Sequence, residues 1–290
     1  MSNTIIRVGG VPEHFNMPWH EAIEQGKFRE KGLEVRWTDF PGGTGAMNKA
    51  LRENEIDVAV ILTEGFIADV IKGNPASILG FYVVSPLRWG IHVPAKSDIK
   101  EVEDIKDRVY AISRPGSGSH LMAFVDADKR KWDASALTFK EVGNLNGARE
   151  ALKTGAAEVF FWEKFTTKPY VDNGEFRIVG ERPTPWPCFV LAARNAFIED
   201  KLEEIRSLLS VLREQCKVFM QDSDNVSKIA KRYSLRKEDV ETWIAGTEWA
   251  TGPQVSLNTL SEVMKTLKKL QVVEEVVPPE QLCSVACRMV

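Results

Sequence analysis

The chain has 290 residues, 43% of them apolar and 27% charged, the balance of a folded globular protein and not of a disordered or fibrous one. Its formal net charge of −3 provides no overall positive field to gather phosphate backbones or anionic lipid, so no nucleic-acid partner is expected. No apolar run approaches the ~20 residues that cross a bilayer as a helix, so no membrane insertion is expected either.

Thr4–Val8 reads as a strand. Ile5, Ile6 and Val8 run straight into Gly9 and Gly10, without the basic start, apolar run of about 7–15 residues and small-residue cleavage site of a secretion signal. The expectation is therefore a cytoplasmic protein, in which Cys188, Cys216, Cys283 and Cys287 are reduced thiols. His20–Arg29 reads as a helix that stops near Gly32, and Leu33–Trp37 alternates as a second strand. After the Pro41–Gly45 turn come a helix over Ala46–Arg52 and the apolar Ile56–Ile61, the pattern of a strand buried on both faces. A helix from about Gly65 to Lys72 and a strand over Ser77–Val84 continue the alternation, which predicts a mostly parallel sheet with right-handed crossovers.

The pattern pauses around Ile91-His92-Val93 and resumes at Val102 with a helical turn. Next come the strand Arg108–Ile112, a glycine-serine loop over Ser113–Ser119, the helix Leu121–Lys131 and the strand Leu137–Glu141. The helix Asn146–Lys153 and the strands Glu158–Trp162 and Phe176–Val179 complete a second α/β block. Pro183-Thr184-Pro185-Trp186-Pro187 is expected to be irregular, because proline removes backbone donors and restricts its predecessor. Cys188–Ala193 returns as a strand, and from Glu199 the chain reads as almost entirely helical, closing with Leu257–Leu270. Were the last segment helical too, Cys283 and Cys287 would share one face, but two thiols make too small a ligand set for a metal, and none is expected. The chain thus crosses twice between two lobes, residues 1–91 with 188–290 and residues 92–187.

Met17-Pro18-Trp19 through Gly26-Lys27-Phe28-Arg29-Glu30-Lys31-Gly32-Leu33-Glu34-Val35 resembles the opening of type II periplasmic solute-binding proteins for taurine, alkanesulfonates and nitrate. Further similar motifs follow in order: Gly42-Gly43-Thr44, Ala50-Leu51-Arg52 before Glu55-Ile56-Asp57-Val58-Ala59, Val102–Asp107 before the strand Arg108–Ile112, and Ala151-Leu152-Lys153-Thr154-Gly155. The resemblance covers about residues 4–200 and implies an α/β fold of two lobes, with a hinge of two crossings and a helical C-terminal region. One branch of that family is an enzyme, the yeast-type synthase that makes the thiamine pyrimidine precursor from its own histidine and bound pyridoxal phosphate. Here Ile61 stands where the resemblance would put the cofactor lysine, and Gly65 where it would put the consumed histidine. In place of the cysteine-rich iron motif there is only Pro187-Cys188-Phe189. An isoleucine forms no Schiff base, so no cofactor is expected.

In such a fold ligands sit outside the carboxyl ends of the strands. The loop after the first strand carries Glu13, His14, Phe15 and Asn16, an aromatic ring beside an imidazole and an amide. Gly43 and Thr44, in a turn before a helix, offer free N–H groups to an anion. Thr63 and Glu64 follow Ile56–Ile61, and the acid favours a ligand with an amine or ring N–H. Arg114, Gly116, Ser117, Gly118, Ser119 and His120 form a loop rich in donors for phosphate or sulfonate, without the lysine of a Walker loop. Trp162, Glu163 and Trp186 could add an aromatic wall and a hinge contact. The four histidines, His14, His20, His92 and His120, lie on different elements, and Asp126 and Asp128 read as a solvated helix face.

The expected function is a binding protein whose lobes close on a small heterocyclic or anionic molecule, with a link to thiamine or pyrimidine metabolism implied by the resemblance. The alternative is an enzyme on a vitamin-like heterocycle, using His14, Glu64 and His120 as acids and bases. A membrane-transporter partner is not expected where an export signal is missing.

Overall fold

The computed structural model describes residues 3–290. The opening pattern becomes β1 (Thr4–Gly10), with Ile6 and Val8 fully buried, followed by α1 (Met17–Glu24) and β2 (Leu33–Asp39). Helix α1 starts three residues earlier than expected, because Pro18 lies in its first turn, where a missing N–H breaks no helical hydrogen bond. Then come α2 (Gly43–Arg52), β3 (Val58–Leu62), α3 (Thr63–Ile71) and β4 (Ala76–Val83). Both α2 and α3 also begin early, which puts Thr44, Thr63 and Glu64 in first helical turns instead of loops.

The second run comprises β5 (Arg88–Pro94), β6 (Val109–Ile112), α4 (Gly118–Arg130), β7 (Thr138–Glu141), α5 (Leu145–Thr154), β8 (Val159–Glu163), α6 (Lys168–Asp172) and β9 (Phe176–Pro183). Ile91-His92-Val93, expected as a pause, is the middle of β5. The fully buried His92 donates from Nδ1 to the Phe160 carbonyl at 3.1 Å and accepts at Nε2 from the Thr167 hydroxyl at 2.7 Å. A polar residue thus breaks the apolar pattern without breaking the strand, because both ring nitrogens are satisfied.

The chain returns as β10 (Phe189–Arg194), α7 (Asn195–Asp200), α8 (Leu202–Gln221), α9 (Asn225–Tyr233), α10 (Lys237–Ile244), β11 (Gln254–Val255), α11 (Leu257–Lys269) and β12 (Arg288–Met289). Its last twenty residues hold no α-helix, only the short 3-10 turn Pro279–Leu282, which the prolines start but do not extend. Instead Cys283 bridges to Ile78 of β4, and β12 pairs in parallel with β11. The expected helical face shared by Cys283 and Cys287 is therefore replaced by a turn.

Contacts divide the chain into two units, Met1–Ser85 with Trp186–Val290, and Pro86–Pro185. The sheet of the first has the order β2-β1-β3-β10-β4, and that of the second β7-β6-β8-β5-β9. In each, one strand is antiparallel to both neighbours: β10 to β3 and β4, and β5 to β8 and β9. These are the strands by which the chain re-enters the first unit and enters the second.

Each unit also holds a buried carboxylate. Asp57, 4% exposed, accepts from Arg7 Nε at 2.9 Å and from Arg194 at 2.6 Å, tying the lead into β3 to β1 and β10. Burial alone would raise the Asp57 carboxyl, but the hydrogen bonds from Arg7 and Arg194 outweigh it and hold it below the usual range. Asp126 corrects the expectation of a solvated face: it is 1% exposed and accepts from Arg130 Nε at 2.9 Å and Arg182 Nε at 2.6 Å, while Asp128 is exposed. Asp57→Ala strands the guanidinium of Arg194, and we expect it to lower stability by about 2–4 kcal/mol, read as a shift in the urea midpoint at pH 7. A change below about 0.5 kcal/mol would contradict the assignment.

Candidate functional site

β1 ends in two glycines because there is no room for side chains. A Cβ on Gly10 would lie 2.4 Å from the Trp37 ring and 2.9 Å from Asn16 Nδ2. Beyond it, Asn16 is fully buried; its Nδ2 donates to the Val11 carbonyl at 2.8 Å, and Oδ1 has no hydrogen-bond partner among the described residues. The Phe15 carbonyl accepts from the Tyr82 hydroxyl at 2.8 Å and the Trp249 indole at 3.1 Å. The rings of His14 and Phe15 turn to the helical part of the unit: their centroids lie 4.1 and 5.1 Å from that of Trp243, and Phe15 also meets Phe189 at 5.0 Å. Burial pushes the His14 imidazole down to about 3, so it is neutral near pH 7. Glu13, in the same loop, is half-buried.

The starts of α2 and α3 meet. Gly43 takes a positive φ of 65° and donates its N–H to the Phe40 carbonyl at 2.9 Å. The Thr44 methyl occupies the space that Gly65 leaves by lacking a Cβ, which would lie 2.6 Å from it. One turn along α2, Asn48 is buried, donates to the Gly65 carbonyl at 3.1 Å and has an unpartnered Oδ1 among the described residues. Sequence reading missed Asn48, although its spacing of four from Thr44 puts both on one face of the helix.

Thr63 and Glu64, both fully buried, hold the return segment. The Thr63 hydroxyl donates to the Pro187 carbonyl at 2.6 Å and its N–H to the Cys188 carbonyl at 3.0 Å. Glu64 Oε2 accepts from the Trp186 indole at 2.8 Å, while Oε1 has no hydrogen-bond partner among the described residues. Burial pushes the Glu64 carboxyl up to about 7, against the pull of its own backbone N–H and of the indole. Since β1 and β3 are parallel neighbours, with Gly9 opposite Ala59, Asn16 and Glu64 stand beyond the carboxyl ends of adjacent strands.

In the second unit the Ser113–His120 loop is largely satisfied by its own side chains. Ser119 Oγ accepts from the Ser113 N–H at 3.0 Å, Ser117 Oγ lies 3.1 Å from it and caps α4, and His120 Nδ1 accepts from the Gly116 N–H at 3.0 Å. The His120 ring packs against Phe124 and Phe139, with centroids 4.6 and 4.5 Å away. Gly118 opens α4, and Arg114 is half-buried. Trp162 stacks on Phe160 at 5.2 Å. Glu163 is buried and accepts from the N–H groups of Phe165 and Thr166 at 3.0 and 2.6 Å, fixing the turn after β8. Because β6 and β8 are parallel neighbours, this turn and the serine loop share one end of the sheet.

Ile61, where the resemblance would put a cofactor lysine, is fully buried in β3. Among the described residues, no three His, Cys, Asp or Glu side chains group as metal ligands, and no helix is long and apolar enough to cross a membrane.

The family model described as Ca3427-like PBP matches residues 89–182. The Candida albicans CA3427 gene product, described as defining a family with the generic periplasmic binding protein fold, is 28% identical, with a TM-score of 0.86 over 95% of this chain and 92% of that one. Residues 89–182 thus match that family model, and the chain as a whole has the two-lobed periplasmic-binding-protein fold. Within that fold it is similar to the alkanesulfonate-binding protein SsuA from Xanthomonas axonopodis pv. citri bound to MOPS, with 15% identity and a TM-score of 0.81 over 98% of this chain and 99% of that one. The periplasmic aliphatic sulphonate-binding protein SsuA from Escherichia coli gives 17% identity and a TM-score of 0.73 over 100% of this chain and 94% of its own. No curated protein matches the chain.

Within this ligand-binding fold the first unit offers a testable electrostatic signature. A glutamate carboxyl ordinarily titrates near 4.5, and Glu64 does so near 7 in the folded protein. Its folded form holds the proton more tightly, so the stability it contributes is full below pH 4.5 and is lost as the pH rises through 7. Burial likewise raises Glu163 to about 7, against the pull of N–H groups and Arg88, and it adds a decline of the same sign. Glu64→Gln keeps an acceptor for the Trp186 indole and removes the charge. The buried His14 and His92 and the half-buried His20, all held neutral, add an opposing rise below pH 6.5 that is common to both proteins, so the readout is the difference. We expect the stability of Glu64→Gln relative to the unsubstituted chain to increase by on the order of 2 kcal/mol from pH 5 to pH 8 in urea titrations. An unchanged slope would contradict the burial of an ionisable carboxyl at this point.

Proposed function

We propose that the chain is a binding protein for a small heterocyclic molecule bearing a ring N–H or amine, with a phosphate or sulfonate on the ligands it binds best. The observation that carries this reading is Glu64: a fully buried carboxyl at a strand's carboxyl end, one oxygen held by an indole and the other without a hydrogen-bond partner among the described residues. A buried acceptor left without a donor costs about 1–3 kcal/mol, which a ligand N–H would recover on binding. Asn16 Oδ1, at the end of the neighbouring strand, offers a second acceptor of the same kind. MOPS, the molecule bound to the Xanthomonas SsuA, joins a saturated heterocycle to a sulfonate, and so illustrates the class of ligand by analogy of fold. A link to thiamine or pyrimidine metabolism belongs to the same proposal and rests on the similarity in fold pattern to the synthase branch, from which Ile61 and Gly65 depart at the chemistry.

The test is a thermal-shift screen of the full chain with aminopyrimidines, thiamine intermediates, pyridoxal phosphate, sulfonates and nitrate. Stabilisation by an N–H-bearing heterocycle is expected, with affinity reduced roughly 10- to 100-fold in Glu64→Gln and in Asn16→Ala. No stabilisation by any of these compounds would refute the reading.

A further inference from the structure

Cys283 and Cys287 take no part in ligand binding as proposed, yet the fold brings them together. The Cys287 N–H and its thiol both donate to the Ser284 carbonyl, at 3.3 and 3.1 Å, and the Ala286 N–H donates to the Ser284 hydroxyl at 3.1 Å. Ser284 is in turn pinned to the sheet: it is 6% exposed and donates its N–H to the carbonyl of Ile78 on β4 at 2.9 Å. The turn folds Cys287 back onto Cys283, and the two thiols are hydrogen-bonded neighbours. Both are partly exposed, whereas Cys188 and Cys216 are buried.

A cation stands beside them. The half-buried Arg213 of α8 lies over β4, where a Cβ on Gly80 would be 3.4 Å from its guanidinium, and its positive charge favours ionisation of Cys287. The Cys283 thiol donates to Cys287 and holds it below the usual thiol range; burial opposes this, while the Cys287 backbone N–H and the charge of Arg213 add to it. Cys283 shifts the opposite way, through that hydrogen bond first, then burial and the nearby Glu280. Ionisation is thus easier at Cys287 than at Cys283, which suits the first to attack and the second to resolve.

We propose that Cys283 and Cys287 are a peroxide-responsive dithiol that closes to an intrachain disulfide. The Cys287 thiolate attacks one oxygen of hydrogen peroxide; the O–O bond breaks, hydroxide leaves and takes a proton to become water, and Cys287 carries a sulfenic acid. The Cys283 sulfur then attacks Cys287 Sγ, the S–O bond breaks, and the departing hydroxyl takes the Cys283 proton and leaves as a second water. Two thiols are oxidised to one disulfide and one peroxide is reduced to two waters. The cross-link closes the turn through which the C-terminal segment meets β4.

The test uses the reduced full chain, one equivalent of hydrogen peroxide, alkylation under denaturant and tryptic mass spectrometry. Cleavage after Lys269 and Arg288 releases residues 270–288, which contain both cysteines. The expected peptide has lost two hydrogens and carries no alkyl group, while Cys188 and Cys216 are alkylated. The same peptide alone is expected to oxidise at least roughly tenfold more slowly, since it lacks the turn and Arg213. Cys283→Ser is expected to leave a sulfenic acid on Cys287 that a 1,3-diketone traps. Two alkylated thiols in peptide 270–288, a disulfide between chains, or an equal rate in the isolated peptide would each overturn the proposal.

Discussion

A carboxyl group buried where β3 runs into α3 must be answered by donors, and one of its oxygens is answered by an indole 122 residues further along the chain. The bond from Trp186 to Glu64 fixes the start of α3 against the segment by which the chain returns to its first unit. Thr63 secures the same meeting from the other direction, donating to Pro187 and Cys188. The prolines on either side of Trp186 make this possible, because they stiffen a segment that forms no ladder of its own. With the return segment anchored, β10 inserts antiparallel between β3 and β4, and the sheet behind the candidate site is complete.

The cost of that arrangement is a carboxyl poised near neutrality, with one oxygen that has no hydrogen-bond partner among the described residues. Buried polar groups left incomplete in a folded protein mark places where something other than packing set the sequence. The opposite case is Asp57, also buried but less deeply, surrounded by Arg7 and Arg194 and held below the usual carboxylate range. One acid is saturated by guanidinium groups and serves the framework. The other is left half-satisfied at the ligand end of the sheet.

Much of the architecture was legible in the sequence because its signals are local. Apolar runs such as Ile56–Ile61 and the turn glycines sufficed for the α/β alternation and the family resemblance. What failed did so for physical reasons. His92 looked like a pause because an imidazole interrupts an apolar run, and only its two partners, Phe160 and Thr167, make it compatible with β5. Asp126 looked solvated because its ion pair with Arg182 joins residues 56 positions apart. For the site, residue types at strand ends pointed to Asn16, Thr63 and Glu64. The rings of His14 and Phe15, however, meet Trp243, and that packing depends on contacts with a helix more than two hundred residues away. Asn48 carried a local signal, its spacing from Thr44, that went unread.

The central claim is that Glu64 accepts a hydrogen bond from the ligand, and calorimetric titration of the chain with a 4-aminopyrimidine in two buffers of different ionisation enthalpy tests it most directly. A donor placed against Glu64 favours the ionised carboxylate, so binding near pH 7 must release a substantial fraction of one proton, and that release must vanish in Glu64→Gln. Absence of binding, or the same proton release with and without the Glu64 carboxyl, would contradict the account.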